Sequence, residues 1–132
     1  MISLKKAILL ILLLAGCNQS EVQHNKGLEE AIHSTVEDKT NSELSINPLT
    51  DFNWEQAFLF TPYTPQEKME EVMGTEFEDP SNLRIRDDIY LLVFLHEEKV
   101  VHYAEIDRQK SGFSIGEKDH LTPSDDLIKI KR

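Results

Sequence analysis

The chain has 132 residues, with 24 acidic side chains against 14 basic ones and a formal net charge of −10. That length holds one domain with little to spare, and the acidic excess disfavours a nucleic-acid partner, whose phosphates would be repelled. A single cysteine excludes an intramolecular disulfide.

Lys5 and Lys6 precede an unbroken apolar run from Ala7 to Leu14, and the small residues Ala15 and Gly16 then lead to Cys17. Positive, apolar, small is the order of an export signal. The run is far shorter than the roughly 20 residues that span a bilayer. Leu14-Ala15-Gly16-Cys17 resembles the lipobox of bacterial lipoproteins. The resemblance implies that the Cys17 thiol receives a diacylglyceryl group and that cleavage removes residues 1–16. The chain would then be lipid-anchored at the cell membrane, facing outside the cytoplasm. Two acyl chains hold a protein firmly where one does so only marginally. Lipidation also removes a free thiol that would be a liability in an exported protein. Asn18 stands where an Asp often signals retention at the inner membrane, so sorting to an outer membrane is permitted in a cell that has one. Removal of residues 1–16 leaves 116 residues with a side-chain charge of −12. Such a domain is repelled by an anionic lipid surface.

Residues 17–50 read as the lipidated cysteine and a polar tether. If all of it were flexible, its mean reach would be roughly 30 Å. Leu28, Ala31, Ile32 and Val36 recur at helical spacing, with Glu29 and Glu30 in the first turn, and define either a short docked helix or a transient one. The domain proper is expected over residues 51–132.

Phe52, Trp54, Phe58 and Phe60 crowd aromatic side chains into one short stretch, and Gln56 to Phe60 reads as a strand. Core packing is the first reading of these aromatics; an exposed gripping patch is the second. Thr64-Pro65-Gln66-Glu67 has the form of a capping box, with Thr64 at the N-cap and Pro65 at the first helical position. Met69, Val72 and Met73 form an apolar stripe, and Gly74 is placed to end the helix. The acidic stretch Glu76 to Asp88 raises the question of calcium, but lacks the spacing of a calcium loop. Arg84 and Arg86 are at hand to neutralise it.

Ile89 to Leu95 is apolar on both alternating faces, which predicts a central strand covered on two sides. His96-Glu97-Glu98-Lys99 is the turn of a hairpin, and Val100 to Ile106 returns. Phe113 to Ile115 reads as a short strand. Leu127 to Arg132 reads as a closing edge strand, with Ile128 and Ile130 on one face and Lys129 and Lys131 on the other. The fold class is α+β: a small antiparallel sheet with one capped helix packed on a face.

The sequence offers no catalytic constellation, and the chain is read as a non-enzyme without cofactor or metal. Its five histidines have neither H-x-x-x-H nor H-E-x-x-H spacing. Nucleophile-elbow, phosphate-loop and S-x-x-K patterns are missing.

Residues 51–132 resemble a group of small, uncharacterised lipoproteins of Bacillus-type bacteria. The resemblance rests on Asp51 to Pro65, Arg86 to Phe94 and Leu121-Thr122-Pro123. It implies the outer face of a plasma membrane and no particular activity. The order of capped helix, Gly74 and antiparallel strands is similar to the outer-membrane assembly lipoproteins of the SmpA type and to β-lactamase-inhibitor-like folds, with Met73-Gly74 where the usual ending is Leu-Gly. Those are protein-binding modules, and the likeness is one of fold, which does not carry function. The leading expectation is a lipoprotein that binds or modulates another protein of the cell envelope. The candidate contact residues are Trp54, Tyr63, His102, Tyr103 and Glu105. The alternatives are a cation- or small-ligand-binding lipoprotein using the carboxylates of residues 76–88 and, last, an acid–base hydrolase of cell-wall polymer.

Overall fold

The computed structural model describes residues 21–132. Residues 1–16, expected to be an export signal, and Cys17 lie outside the described residues. In chain order the elements are β1 (Gln23–His24), α1 (Lys26–Glu37), β2 (Glu43–Ser45), β3 (Gln56–Phe60), α2 (Gln66–Met73), β4 (Ile89–His96), β5 (Lys99–Asp107), β6 (Gly112–Ser114) and β7 (Leu127–Lys131), with 3-10 turns at Asn47–Leu49 and Leu83–Ile85. The fold is α+β. Its strands divide between two sheets rather than one, ordered β1-β5-β4-β3 and β2-β7-β6.

β4 is the central strand that its composition predicts. It pairs antiparallel with β3 on one side and β5 on the other. Because side chains alternate across a strand, Ile89, Leu91, Val93 and Leu95 face one apolar layer and Leu92 and Phe94 the other. The first layer contains Met69 and Met73 of α2 with Phe58, Phe60, Phe77 and Leu83. The second contains Leu28, Ile32 and Val36 of α1, the Trp54 side chain, and Leu44, Ile128 and Ile130 of the second sheet. Each fully buried large apolar side chain contributes about 1.5–3 kcal/mol by leaving water, so losing either layer would unfold so small a domain.

The segment 17–50 is therefore not a tether over most of its length. From Gln23 onward it belongs to the folded body. The side-chain oxygen of Asn25 accepts from the Leu28 N–H at 2.9 Å and starts α1. The buried stripe Leu28, Ile32, Val36 then docks the helix against β5 and β2. At its other end the Arg132 guanidinium donates to the carbonyls of Val36 (3.1 Å), Asp38 (3.2 Å) and Asn41 (2.6 Å). A cation at a helix carboxyl end also meets the favourable end of the dipole.

The start of α2 differs from the capping box. Pro65 occupies the N-cap and no side chain caps the helix. The Thr64 hydroxyl instead donates to the Thr61 carbonyl at 2.7 Å, closing the turn that follows β3. Gly74 ends the helix as expected, left-handed at φ +73°, its N–H on the Glu70 carbonyl. Val72 does not join the stripe: it is 41% exposed, while Met69 and Met73 are buried. β7 lies in the middle of the second sheet, between β2 and β6, and is not an edge. Its alternation holds, with Ile128 and Ile130 buried and Lys129 and Lys131 exposed.

Candidate interaction site

Two strained turns and one clamp build an exposed patch at the end of the main sheet where β3 leaves and β4 enters. Tyr63 takes φ +71°, a left-handed conformation costly for an aromatic residue. Its N–H donates to the carbonyls of both Leu83 (3.0 Å) and Arg86 (3.2 Å). Leu83 opens the 3-10 turn Leu83–Ile85 and Arg86 caps its end; the turn begins after Asn82, itself left-handed at φ +56°. The carboxylate of Asp79 fixes the approach to that turn, accepting from Ser81 N–H (2.8 Å), Ser81 Oγ (2.6 Å) and Leu83 N–H (2.9 Å). Leu83 plugs into the core beneath. Tyr63 and Ile85 are left on backbones that hold each other, at 59% and 64% exposure.

Arg86 ties this patch to β5. It donates to both carboxylate oxygens of Asp88 (2.9 and 2.8 Å) and, more weakly, to Oε1 of Glu105 at 3.4 Å. The bond from Arg86 holds the Asp88 carboxyl below its ordinary value and raises the guanidinium in turn. Further along the β5 edge, β1 lies parallel, with Gln23 opposite His102 and His24 opposite Tyr103. The His24 ring stacks on Tyr103 with centroids 4.5 Å apart and donates from Nε2 to Glu29 Oε2, 2.6 Å away. That same Glu29 oxygen accepts the Glu105 N–H at 2.8 Å, so a side chain of α1 continues the edge pairing where β1 stops.

The five candidate contact residues fall into separate environments. Trp54 is core: it is 5% exposed, its indole packs edge-on to Phe94, and its Nε1 donates to Thr50 Oγ1 at 3.2 Å. Tyr103 is 7% exposed, beneath the His24 ring, and burial first, then Glu105, Glu29 and Asp79, push its phenol up. His102 is half-buried against Phe52. Glu105 is half-buried and paired to Arg86. Tyr63 alone stands in solvent. Glu105 and Tyr63, far apart in sequence, are brought together through Arg86, whereas Trp54 joins neither. Ile85 and Arg86 were not among the candidates. The alternation Leu83-Arg84-Ile85-Arg86 carried a signal for them, since an isolated apolar residue between two arginines in a polar loop has no core to enter.

Two of the five carboxylates in the acidic stretch Glu76 to Asp88 are occupied by neighbours. Asp79 is filled by three donors and Asp88 holds Arg86, while Glu70 of α2 accepts the Phe77 N–H at 3.0 Å. Among the described residues, no group of three or more histidine, cysteine, aspartate or glutamate side chains has the geometry to hold a metal ion. No helix among them is long and apolar enough to cross a membrane. No family model matches the chain, and no curated protein or solved structure matches it either.

Proposed function

We propose that this protein is a lipid-anchored, extracytoplasmic lipoprotein whose folded domain binds, and thereby modulates, another protein of the cell envelope. The anchor is Cys17, by the lipobox that precedes it. The observation that carries the binding role is Tyr63: an exposed aromatic held at φ +71° by two backbone hydrogen bonds, beside exposed Ile85. Strain of this kind costs on the order of 1–3 kcal/mol and persists where surrounding structure enforces it. An aromatic ring pre-set in solvent loses little entropy on binding and suits a small hot spot, with Arg86 and Glu105 as its polar rim. Chemistry is not part of this reading.

The test is crosslinking capture from intact cells that carry the lipidated protein. Tyr63→Ala is expected to reduce the captured envelope protein at least several-fold while leaving the melting temperature unchanged. Equal loss of capture and of stability would assign Tyr63 to packing instead. Cys17→Ser is expected to release the protein from membranes or leave it unprocessed; unchanged attachment and processing would overturn the anchor.

A further inference from the structure

The tether and the Tyr63 patch belong to opposite ends of the domain. β1 runs parallel to β5, so the chain preceding Gln23 heads toward Lys99 and the Glu97–Glu98 turn. Val22 continues that way and lines an open groove of about 930 Å³ with Thr75 and Phe77, just past the carboxyl end of α2. Tyr63 and Ile85 lie beyond the other end of the sheet, since β3 finishes at Phe60 opposite Leu91 and β4 begins at Ile89 opposite Asp107.

Five residues separate Cys17 from Gln23. Their covalent span is at most about 20 Å, shorter than the roughly 30 Å length of a nine-residue strand such as β5. An anchor on such a leash does not let the domain roam as a thirty-residue tether would. Resting on the lipid anchor just proposed, we infer that the domain stands with its β4–β5 hairpin end toward the bilayer and presents Tyr63 and Ile85 away from it. The partner is then a protein that meets the domain from the side remote from the membrane, not a neighbour lying alongside in the lipid. Glu97 and Glu98 on the turn, with Glu76 and Glu78 at the groove, repel anionic headgroups. They hold the hairpin end off the lipid surface within the length of the leash.

The expected lipidation of Cys17 makes the test clean, because an added cysteine would be the only thiol. The processed protein carrying Lys99→Cys or Asp87→Cys is labelled with a donor fluorophore and reconstituted in vesicles containing a phospholipid with an energy-transfer acceptor on its headgroup, which quenches over tens of ångströms. Quenching is expected to be several-fold stronger at position 99 than at 87. Insertion of twelve Gly/Ser residues after Asn18 is expected to level the two while preserving capture of the partner. Equal quenching at the natural tether length, or stronger quenching at 87, overturns the orientation and leaves the anchor standing. A difference that survives the insertion also overturns it, because something other than the tether then orients the domain. Protein that fails to float with vesicles overturns the anchor, and the orientation with it.

Discussion

The rings of Phe52 and His102 stack with centroids 3.6 Å apart and planes 14° from parallel. Asn25 Nδ2 meets His102 Nδ1 at 3.2 Å, while the other side-chain atom of Asn25 caps α1. One imidazole thus joins the segment before β3, the strand β5 and the start of α1. Since an amide nitrogen only donates, Nδ1 must be the acceptor, which the neutral ring with its proton on Nε2 supplies.

That arrangement makes stability depend on pH with a definite sign. Burial lowers the His102 pKa from its ordinary 6.5, and the Asp51 carboxylate only partly opposes it. The unfolded chain therefore binds the proton first, so this contribution is complete above about pH 6.5 and is lost as pH falls through 6.5 toward the lower folded value. The melting temperature is expected to drop between pH 7.5 and 5.5, and His102→Gln to flatten that slope. Loss from Asp38 and Asp88, whose carboxyls are held below 3.8 by Thr40 and by Arg86, belongs to a separate window near and below that value. An unchanged slope in His102→Gln would assign the dependence to another group.

The β4–β5 turn places Glu97 and Glu98 at φ +51° and +66°. This is the two-residue hairpin geometry that favours Asn-Gly, and neither glutamate is suited to it. Glu98→Gly is expected to stabilise the domain by about 1 kcal/mol in chemical denaturation. Glu97 is the wrong position to change first, since its N–H is held by Glu55 Oε1 at 2.6 Å.

Arg132 holds three carbonyls at the end of α1. Arg132→Ala is expected to cost about 1–2 kcal/mol, the scale of charged hydrogen bonds at a partly exposed site. Amide exchange should accelerate near residues 36–41 and not around β4. Uniform acceleration across the domain would show that the clasp supports the whole fold.

Trp54 and Tyr103 should behave as core. Trp54→Ala is expected to cost about 3–5 kcal/mol, and Tyr103→Ala to lower the melting temperature by several degrees. Either change reaches partner capture only through unfolding. Capture measured at a temperature where the variants remain folded should be unaffected, in contrast with Tyr63→Ala.

The sequence made the β4–β5 hairpin plain because Ile89 to Leu95 has no polar face, and two glutamates between apolar runs have nowhere to go but a turn. Gly74 was equally legible, since a left-handed helix end favours the residue without a Cβ. The docking of α1 was left open for a physical reason. Its stripe of Leu28, Ile32 and Val36 is narrow and set among charges, and the surface that covers it is assembled from β5 of one sheet and β2 of the other. β2 itself is three residues long, below the length at which alternation can be recognised. The capping box misled because the Thr64 hydroxyl had a nearer acceptor in the Thr61 carbonyl. Tyr63 was singled out from its aromatic neighbourhood, but its strain and its link to Glu105 depend on Arg86, a contact between segments that no local pattern encodes.

β7 is the middle strand of its sheet, pairing with β2 on one side and β6 on the other, and Ile130 N–H also reaches the Ser42 carbonyl at 2.9 Å. A nascent chain that has emerged only to residue 126 has both outer strands and nothing to join them. It also lacks Ile128 and Ile130, which complete the apolar layer around Leu28, Ile32 and Val36. Closure over so long a loop is a late and slow event in folding. The half-made domain therefore keeps one side of that apolar layer open until β7 arrives, which leaves it more accessible to proteolysis for that interval.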